Sequence, residues 1–376
     1  MRRRFVILGA LLLLVFLGAY AWHLAHSPPG QERTIDEGDH PKPSPGPPTT
    51  PMDTFRLAWN SEASADWPVS ESLALMSEQA YLPPVDAEPA YRKLGFDRVT
   101  PVVAGSMIGY VVSGADVTVI VFRGTNPSEL CDWCVNLDCL STQVTHGAIH
   151  KGFYSAYQLL KGQITKSLSG TKPRHLWITG HSLGGALAVV CAYDLIENER
   201  LDLDGIITFG QPMVARRQLA EHLDTVLLGR YAHYVNEADI VPRVPPTYSH
   251  CGSLVWFTGG GIKRSKPKRP VVGAVGPKDS SPTKGGELIP LSQEEFEQWK
   301  TSIRRGNREP KRLPDGTLLV EGNAPWIRDH PIELYLEKIR SVLGAAKANR
   351  PLPSEEQNAE PFGRLPRPGR AGSGSH

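Results

Sequence analysis

No sign of charge dominates this 376-residue sequence: 41 Lys and Arg stand against 39 Asp and Glu, for a formal net charge of +2. So even a balance supplies no global field for gathering nucleic acid or an acidic polymer, and nucleic-acid binding is set aside. Cysteine is scarce too, with Cys131, Cys134, Cys139, Cys191 and Cys251 making up the whole complement of five. Cys131-x-x-Cys134 lacks the second ligand pair that a closed tetrahedral zinc site needs, and no metal or cofactor is expected. Cys191 falls inside an apolar helical pattern as a small packed side chain, while a disulfide among the other four is expected if the protein is exported.

A long apolar run, Phe5–Leu24, directly follows three arginines in Met1–Arg4. As a helix it would reach about 30 Å, enough to cross a bilayer. Residues 1–26 therefore read as a signal-anchor, with Ala19-Tyr20-Ala21 offering the alternative of a cleaved signal peptide. Either way the globular part is expected outside the cytoplasm, membrane-anchored or secreted, because an arginine-rich end tends to stay inside. Residues 27–51 are rich in Pro, Gly and polar side chains and read as an extended spacer. The globular part spans 52–347, and 348–376 reads as a disordered tail.

Within the globular part, short β-like runs alternate with helical patterns. Ser70 can cap a helix running to Tyr81. Strands are expected at Val99–Ala104, Met107–Val112, Val117–Phe122, Leu176–Thr179, Gly205–Phe209 and Tyr231–Val235. Helices are expected at Gly152–Ser169, Gly184–Asn198, Arg216–Leu223 and Ile332–Leu343. Such alternation predicts an α/β fold, with a mostly parallel central sheet covered by helices on both faces. Residues 258–325 interrupt it as a basic insertion: Lys263–Arg312 holds 13 Lys and Arg against 6 Asp and Glu. This stretch reads as a solvated loop with one short helix near Ser292–Arg304. Contact with an anionic lipid or polymer is the alternative.

Gly180-His181-Ser182-Leu183-Gly184 fits the G-x-S-x-G pattern, in which a serine occupies a sharp strand-to-helix turn. The pattern alone is weak, but its context is apt. Leu176–Thr179 precedes it as a strand, and a small-residue helix follows. A serine hydroxyl is a poor nucleophile until a base takes its proton, so a histidine and a group orienting that histidine are required. In chain order the acid comes before the histidine in this fold. Asp239 follows the strand Tyr231–Val235, at its carboxyl end, whereas Asp202 and Asp204 precede their strand. His233 lies within a strand and His222 on a helix, which leaves His330 as the favoured base and His250 as the alternative.

Taken together, these residues resemble the class 3 lipases. The resemblance rests on Val121-Phe122-Arg123-Gly124-Thr125, Asp132-Trp133, His150-Lys151-Gly152-Phe153, the segment Thr179–Ala186, Phe209-Gly210-Gln211-Pro212, Asn236-x-x-Asp239-x-Val241-Pro242 and Asp329-His330, in that order across roughly 55–343. It implies an α/β-hydrolase fold and a Ser182, Asp239, His330 triad. It also implies an oxyanion hole built from the Leu183 N–H and from Thr125. The implied activity is carboxylic-ester hydrolysis, of acylglycerols or related lipids, with no cofactor. A phospholipase, a feruloyl- or polyester-type esterase, and a non-catalytic lipase-fold binding protein remain alternatives. Residues 126–142 carry three cysteines and resemble the family's lid helix poorly, and the basic insertion lies outside the common pattern.

Overall fold

A computed structural model describes residues 66–126, 129–170, 173–265, 288–304, 311–312, 318–319 and 328–348. All belong to the second of two units into which the chain divides, Thr49–His376. The N-terminal segment 1–26 and the spacer 27–51 lie outside the described residues, as do those beyond 348.

Helices α1 (Trp67–Gln79) and α2 (Pro84–Lys93) lead into strands β1 (Arg98–Ala104), β2 (Met107–Gly114) and β3 (Val117–Phe122). Helix α3 (Leu130–Asn136), the hairpin β4 (Ser141–Val144) and β5 (Gly147–His150), and helix α4 (Lys151–Ser169) follow. Next come β6 (His175–His181), α5 (Leu183–Glu197), β7 (Gly205–Phe209), α6 (Arg217–Val226) and β8 (Tyr231–Asn236). The chain continues through β9 (Ser253–Thr258), β10 (Gly261–Ser265), α7 (Gln293–Arg304), the two-residue strands β11 (Lys311–Arg312) and β12 (Leu318–Leu319), and α8 (Ile332–Ala348).

One sheet of eight strands runs in the order β1-β2-β3-β6-β7-β8-β9-β10. Its five inner strands, β3, β6, β7, β8 and β9, are parallel, and the pairs at both edges are antiparallel. Strands β3, β6, β7 and β8 are buried at every position, which only a sheet covered on both faces allows. One apolar layer holds residues of α4, α5 and α6, among them Tyr157, Leu187 and Leu223. The opposite layer holds Leu73 of α1, Tyr91 of α2 and Tyr335 and Ile339 of α8. The expected α/β architecture is therefore present.

Local expectations needed three corrections. Helix α1 starts earlier than Ser70, because Asp66 caps it by accepting the Val69 N–H at 3.0 Å. Ser70 instead sits inside the helix, hydrogen-bonded to Tyr234 at 2.7 Å. The basic insertion is not only solvated loop. Near its start β10 pairs antiparallel with β9, and its helix α7 buries Phe296 and Trp299 in the main core, while the Lys300 ammonium donates to the Leu137 carbonyl at 2.9 Å. Helix α3 forms where the lid helix was doubted, and α7 packs against it. Finally, of the cysteines expected to pair, Cys139 and Cys251 carry free thiols, so no disulfide is made through either. The side chain of Cys131 lies outside the described residues.

Candidate active site

Strand β6 delivers the chain to Ser182, which turns sharply (φ 56°, ψ −129°) before α5 begins. An L-residue is rarely held in such a conformation, and its usual setting is a functional site. The turn is locked by the Ser182 N–H donating to the Phe209 carbonyl at 2.9 Å. Gly180 and Gly184 approach so closely that a Cβ on the first would fall on the carbonyl of the second. Ser182 is 1% exposed, so its hydroxyl is buried.

Asp239 stands just past β8, in the loop that the 3-10 turn Val241–Arg243 continues. Its Oδ2 accepts from His330 Nδ1 at 2.7 Å and from the Tyr335 hydroxyl at 2.6 Å, and its Oδ1 accepts from the Val241 N–H at 3.0 Å. Three donors thus converge on the carboxylate and fix its position. Burial, followed by the nearby Asp239 charge, pushes the Tyr335 hydroxyl well above its usual range, so it remains a donor. His330 is itself fixed from the other side. Its carbonyl accepts from His181 Nε2 at 2.7 Å, and His181 Nδ1 contacts the Tyr81 hydroxyl at 2.7 Å. Burial, then the neighbouring His330, holds His181 well below the ordinary histidine range. His181 is thus neutral: Nε2 donates to the carbonyl and Nδ1 accepts from Tyr81.

Among the buried polar atoms without a hydrogen bond to any described residue are Ser182 Oγ, His330 Nε2 and Thr125 Oγ1. Buried polar groups normally find partners, so three such atoms in one site call for an explanation. The serine and histidine make no direct hydrogen bond, a common feature of ligand-free sites, where such contacts tighten only around substrate. The Thr125 segment lies against the nucleophile turn, since a Cβ on Gly124 would come 2.6 Å from the His181 carbonyl and 3.1 Å from Ser182 Cβ. Leu183 opens α5, and the first N–H groups of a helix have no acceptor inside it.

The alternative base, His250, is engaged elsewhere: its Nε2 bonds to the Pro242 carbonyl at 2.6 Å and its ring stacks on His233 with centroids 4.2 Å apart. Asp204 accepts the Leu176 N–H at the amino end of β6, the opposite sheet edge, and Asp202 pairs with Arg230. Sequence reasoning passed over several supports. Tyr335, Tyr81 and the ring of His181 carry no motif that would single them out. Asn236 and Asp329 appeared only as motif letters; Asn236 Nδ2 donates to the Asp329 carbonyl at 2.9 Å, and Asp329 Oδ2 accepts the Ala238 N–H at 3.2 Å, joining the two loops that bear Asp239 and His330. Gly210 has φ 55°, and a Cβ there would meet Asp239 Oδ2 and His330 Cε1 at 3.0 Å each.

Residues 119–249 match the family model described as Lipase (class 3). The chain is 32% identical over 152 residues to a lipase of Rhizomucor miehei, covering 37% of this chain and 41% of that protein. It is 38% identical over 116 residues to the secreted mono- and diacylglycerol lipase LIP4 of Malassezia restricta, covering 28% of this chain and 38% of the relative. The solved triacylglyceride lipase of Rhizomucor miehei superposes with a TM-score of 0.46 at 23% identity, over 55% of this chain and 86% of that one. This chain spans about two fifths of the length of the curated relatives it matches. From strand β3 to the loop beyond Asp239, residues 119–249 are thus similar to the class 3 lipases.

Proposed function

We propose that the protein is a serine hydrolase that cleaves carboxylic esters of lipids, acylglycerols being the class its relatives' names support. The carrying observation is the 2.7 Å contact between His330 Nδ1 and Asp239, with His330 Nε2 and the Ser182 hydroxyl buried and without a hydrogen-bond partner among the described residues. In this reading His330 Nε2 takes the Ser182 proton as the serine oxygen attacks the ester carbonyl. Asp239 orients the imidazole and stabilises its charged form. The tetrahedral oxyanion is met by the Leu183 N–H and by Thr125, which lower the barrier because they are already aimed where charge develops. Collapse expels the alcohol, which leaves with the proton held on His330. Water then attacks the acyl-enzyme, giving its proton to His330, and the acid departs as the Ser182 hydroxyl is restored.

The apolar segment 1–26 supports a catalytic domain at 52–347 that is either tethered outside the cytoplasm or secreted, and the printed name of the Malassezia relative is that of a secreted enzyme. Among the described residues no helix is long and apolar enough to cross a membrane, and residues 1–26 lie outside them.

The test is hydrolysis of p-nitrophenyl esters of graded chain length and of mono-, di- and triacylglycerols, with Ser182→Ala as control and fluorophosphonate labelling in parallel. Turnover and labelling should both vanish in the variant. Equal turnover by Ser182→Ala would remove the nucleophile assignment, and a wild-type protein inert to every ester and to the fluorophosphonate would favour a non-catalytic binder.

A further inference from the structure

At the end of α5 farthest from Ser182, three side chains that the ester chemistry does not use converge. His146 lies in the two-residue loop of the β4–β5 hairpin, Glu197 is the last residue of α5, and His222 projects from α6. Their potential ligating atoms all lie within 4.8 Å of one another. His222 Nε2 donates to Glu197 Oε1 at 2.7 Å, and His146 Nε2 is 3.4 Å from Oε2 of the same carboxylate. The two imidazoles stack, centroids 3.7 Å apart and planes 16° from parallel.

Two independent features single this cluster out. Glu197 places a carboxylate, with only 8% of its side chain exposed, at the negative end of the α5 dipole, and the last turn of α5 holds no basic residue. Among the described residues its ion-pair partners are the two imidazoles alone, whereas Asp194, one turn earlier, has the Lys161 ammonium at 2.8 Å. A cation between the rings and the carboxylate would offset both the side-chain charge and the helix end. The second feature is the backbone of His146, at φ 68°, the left-handed conformation that Gly or Asn adopts more readily in a tight turn. Strain of this kind concentrates at ligand clamps, and here it aims an imidazole at a carboxylate.

We propose that His146, Glu197 and His222 form a binding site for a divalent transition-metal ion, with zinc as the fitting case. Two imidazole nitrogens and one carboxylate oxygen are a zinc donor set, whereas calcium and magnesium call for a shell of oxygens. Binding requires each Nε2 to offer its lone pair, so the ring proton resides on Nδ1 and the hydrogen bond from His222 to Glu197 gives way to coordination. The ligands must draw together and the ring stack must open. His146, 45% exposed on its turn, is the element free to move, and its exposure leaves the fourth position to water. Helix α5 has 15 residues and so spans about 22 Å, which keeps the ion remote from Ser182. Its role is structural: it ties the hairpin, the end of α5 and α6 together.

The experiment uses the full chain in detergent, stripped with a chelator, with zinc chloride added while unfolding is followed by tryptophan fluorescence and binding by calorimetry. Zinc should bind at one ion per chain and raise Tm, and magnesium at the same concentration should leave Tm unchanged. His146→Gly removes a ligand while suiting the turn, so its zinc-free Tm should equal or exceed that of the wild type while its zinc affinity falls by about tenfold or more. His222→Gln should lose the zinc response likewise. The proposal is overturned if wild-type Tm does not respond to about 0.1 mM zinc. An equal zinc response in both variants, or an equal response to magnesium, overturns it as well. Ester hydrolysis is not the readout, so this outcome stands apart from that of the proposed activity.

Discussion

Replacing Gly210 by Ala asks whether the Asp239–His330 pair is held by backbone that tolerates no added atom. The new methyl would lie 3.0 Å from Asp239 Oδ2, 3.0 Å from His330 Cε1 and 3.1 Å from His330 Nδ1. Ordinary carbon contacts lie at about 3.5–4.0 Å, so the pair must retreat by about 0.5 Å. Both side chains are buried, and overpacking of this kind costs about 1–3 kcal/mol. The φ of 55° adds a backbone penalty of roughly 1–2 kcal/mol for a non-glycine residue. A displacement of this size at a reacting imidazole should lower kcat/KM by about 10- to 100-fold, chiefly through kcat. Gly105 supplies the matched control: its φ is 61°, and a Cβ there meets nothing within 4 Å. Gly105→Ala should therefore lose only the backbone term, about 1–2 kcal/mol, and keep wild-type kinetics. Urea denaturation and p-nitrophenyl ester kinetics on both variants decide the matter. If the two variants show the same kcat/KM, the steric reasoning about Gly210 is wrong.

Thr125→Val keeps the backbone N–H but swaps a buried, unpartnered hydroxyl for a methyl. Stability should hold or rise while kcat falls by about tenfold or more, and unchanged kcat would restrict the oxyanion role to the backbone. Trp299→Ala probes the helix of the basic insertion: at 1% exposure its loss should cost about 3–5 kcal/mol in chemical denaturation, whereas a change under about 0.5 kcal/mol would return that helix to the surface. For pH, burial pushes His250 down to about 4, against the opposing effect of its bond to the Pro242 carbonyl. The unfolded chain then takes up a proton that the native state refuses as pH falls below about 6.5, so this group withdraws about 3 kcal/mol of stability by pH 4. The stability of His250→Gln should fall less steeply than that of the wild type between pH 7 and 4.5, and parallel curves would contradict the sign.

Apolar runs were enough to lay out β3, β6, β7 and β8 and the helices between them, because an element buried on both faces must be apolar throughout, whereas β9, only partly buried, was not foreseen. The Ser182 turn could be read for a similar reason: only glycines fit beside it, and they mark it in the sequence. Asp239 was chosen from chain order and its place at the end of a strand, and His330 by elimination among the histidines; the structure brings the two within 2.7 Å. What sequence could not reveal were partners brought together across many residues, such as Tyr335 on Asp239, Tyr81 on His181 and α7 on α3. A tyrosine on the buried face of a helix looks the same whether its hydroxyl meets a carboxylate or a carbonyl, and only packing decides which. The same holds for His146, Glu197 and His222, three unremarkable letters in separate elements until the tertiary structure turns them toward one point.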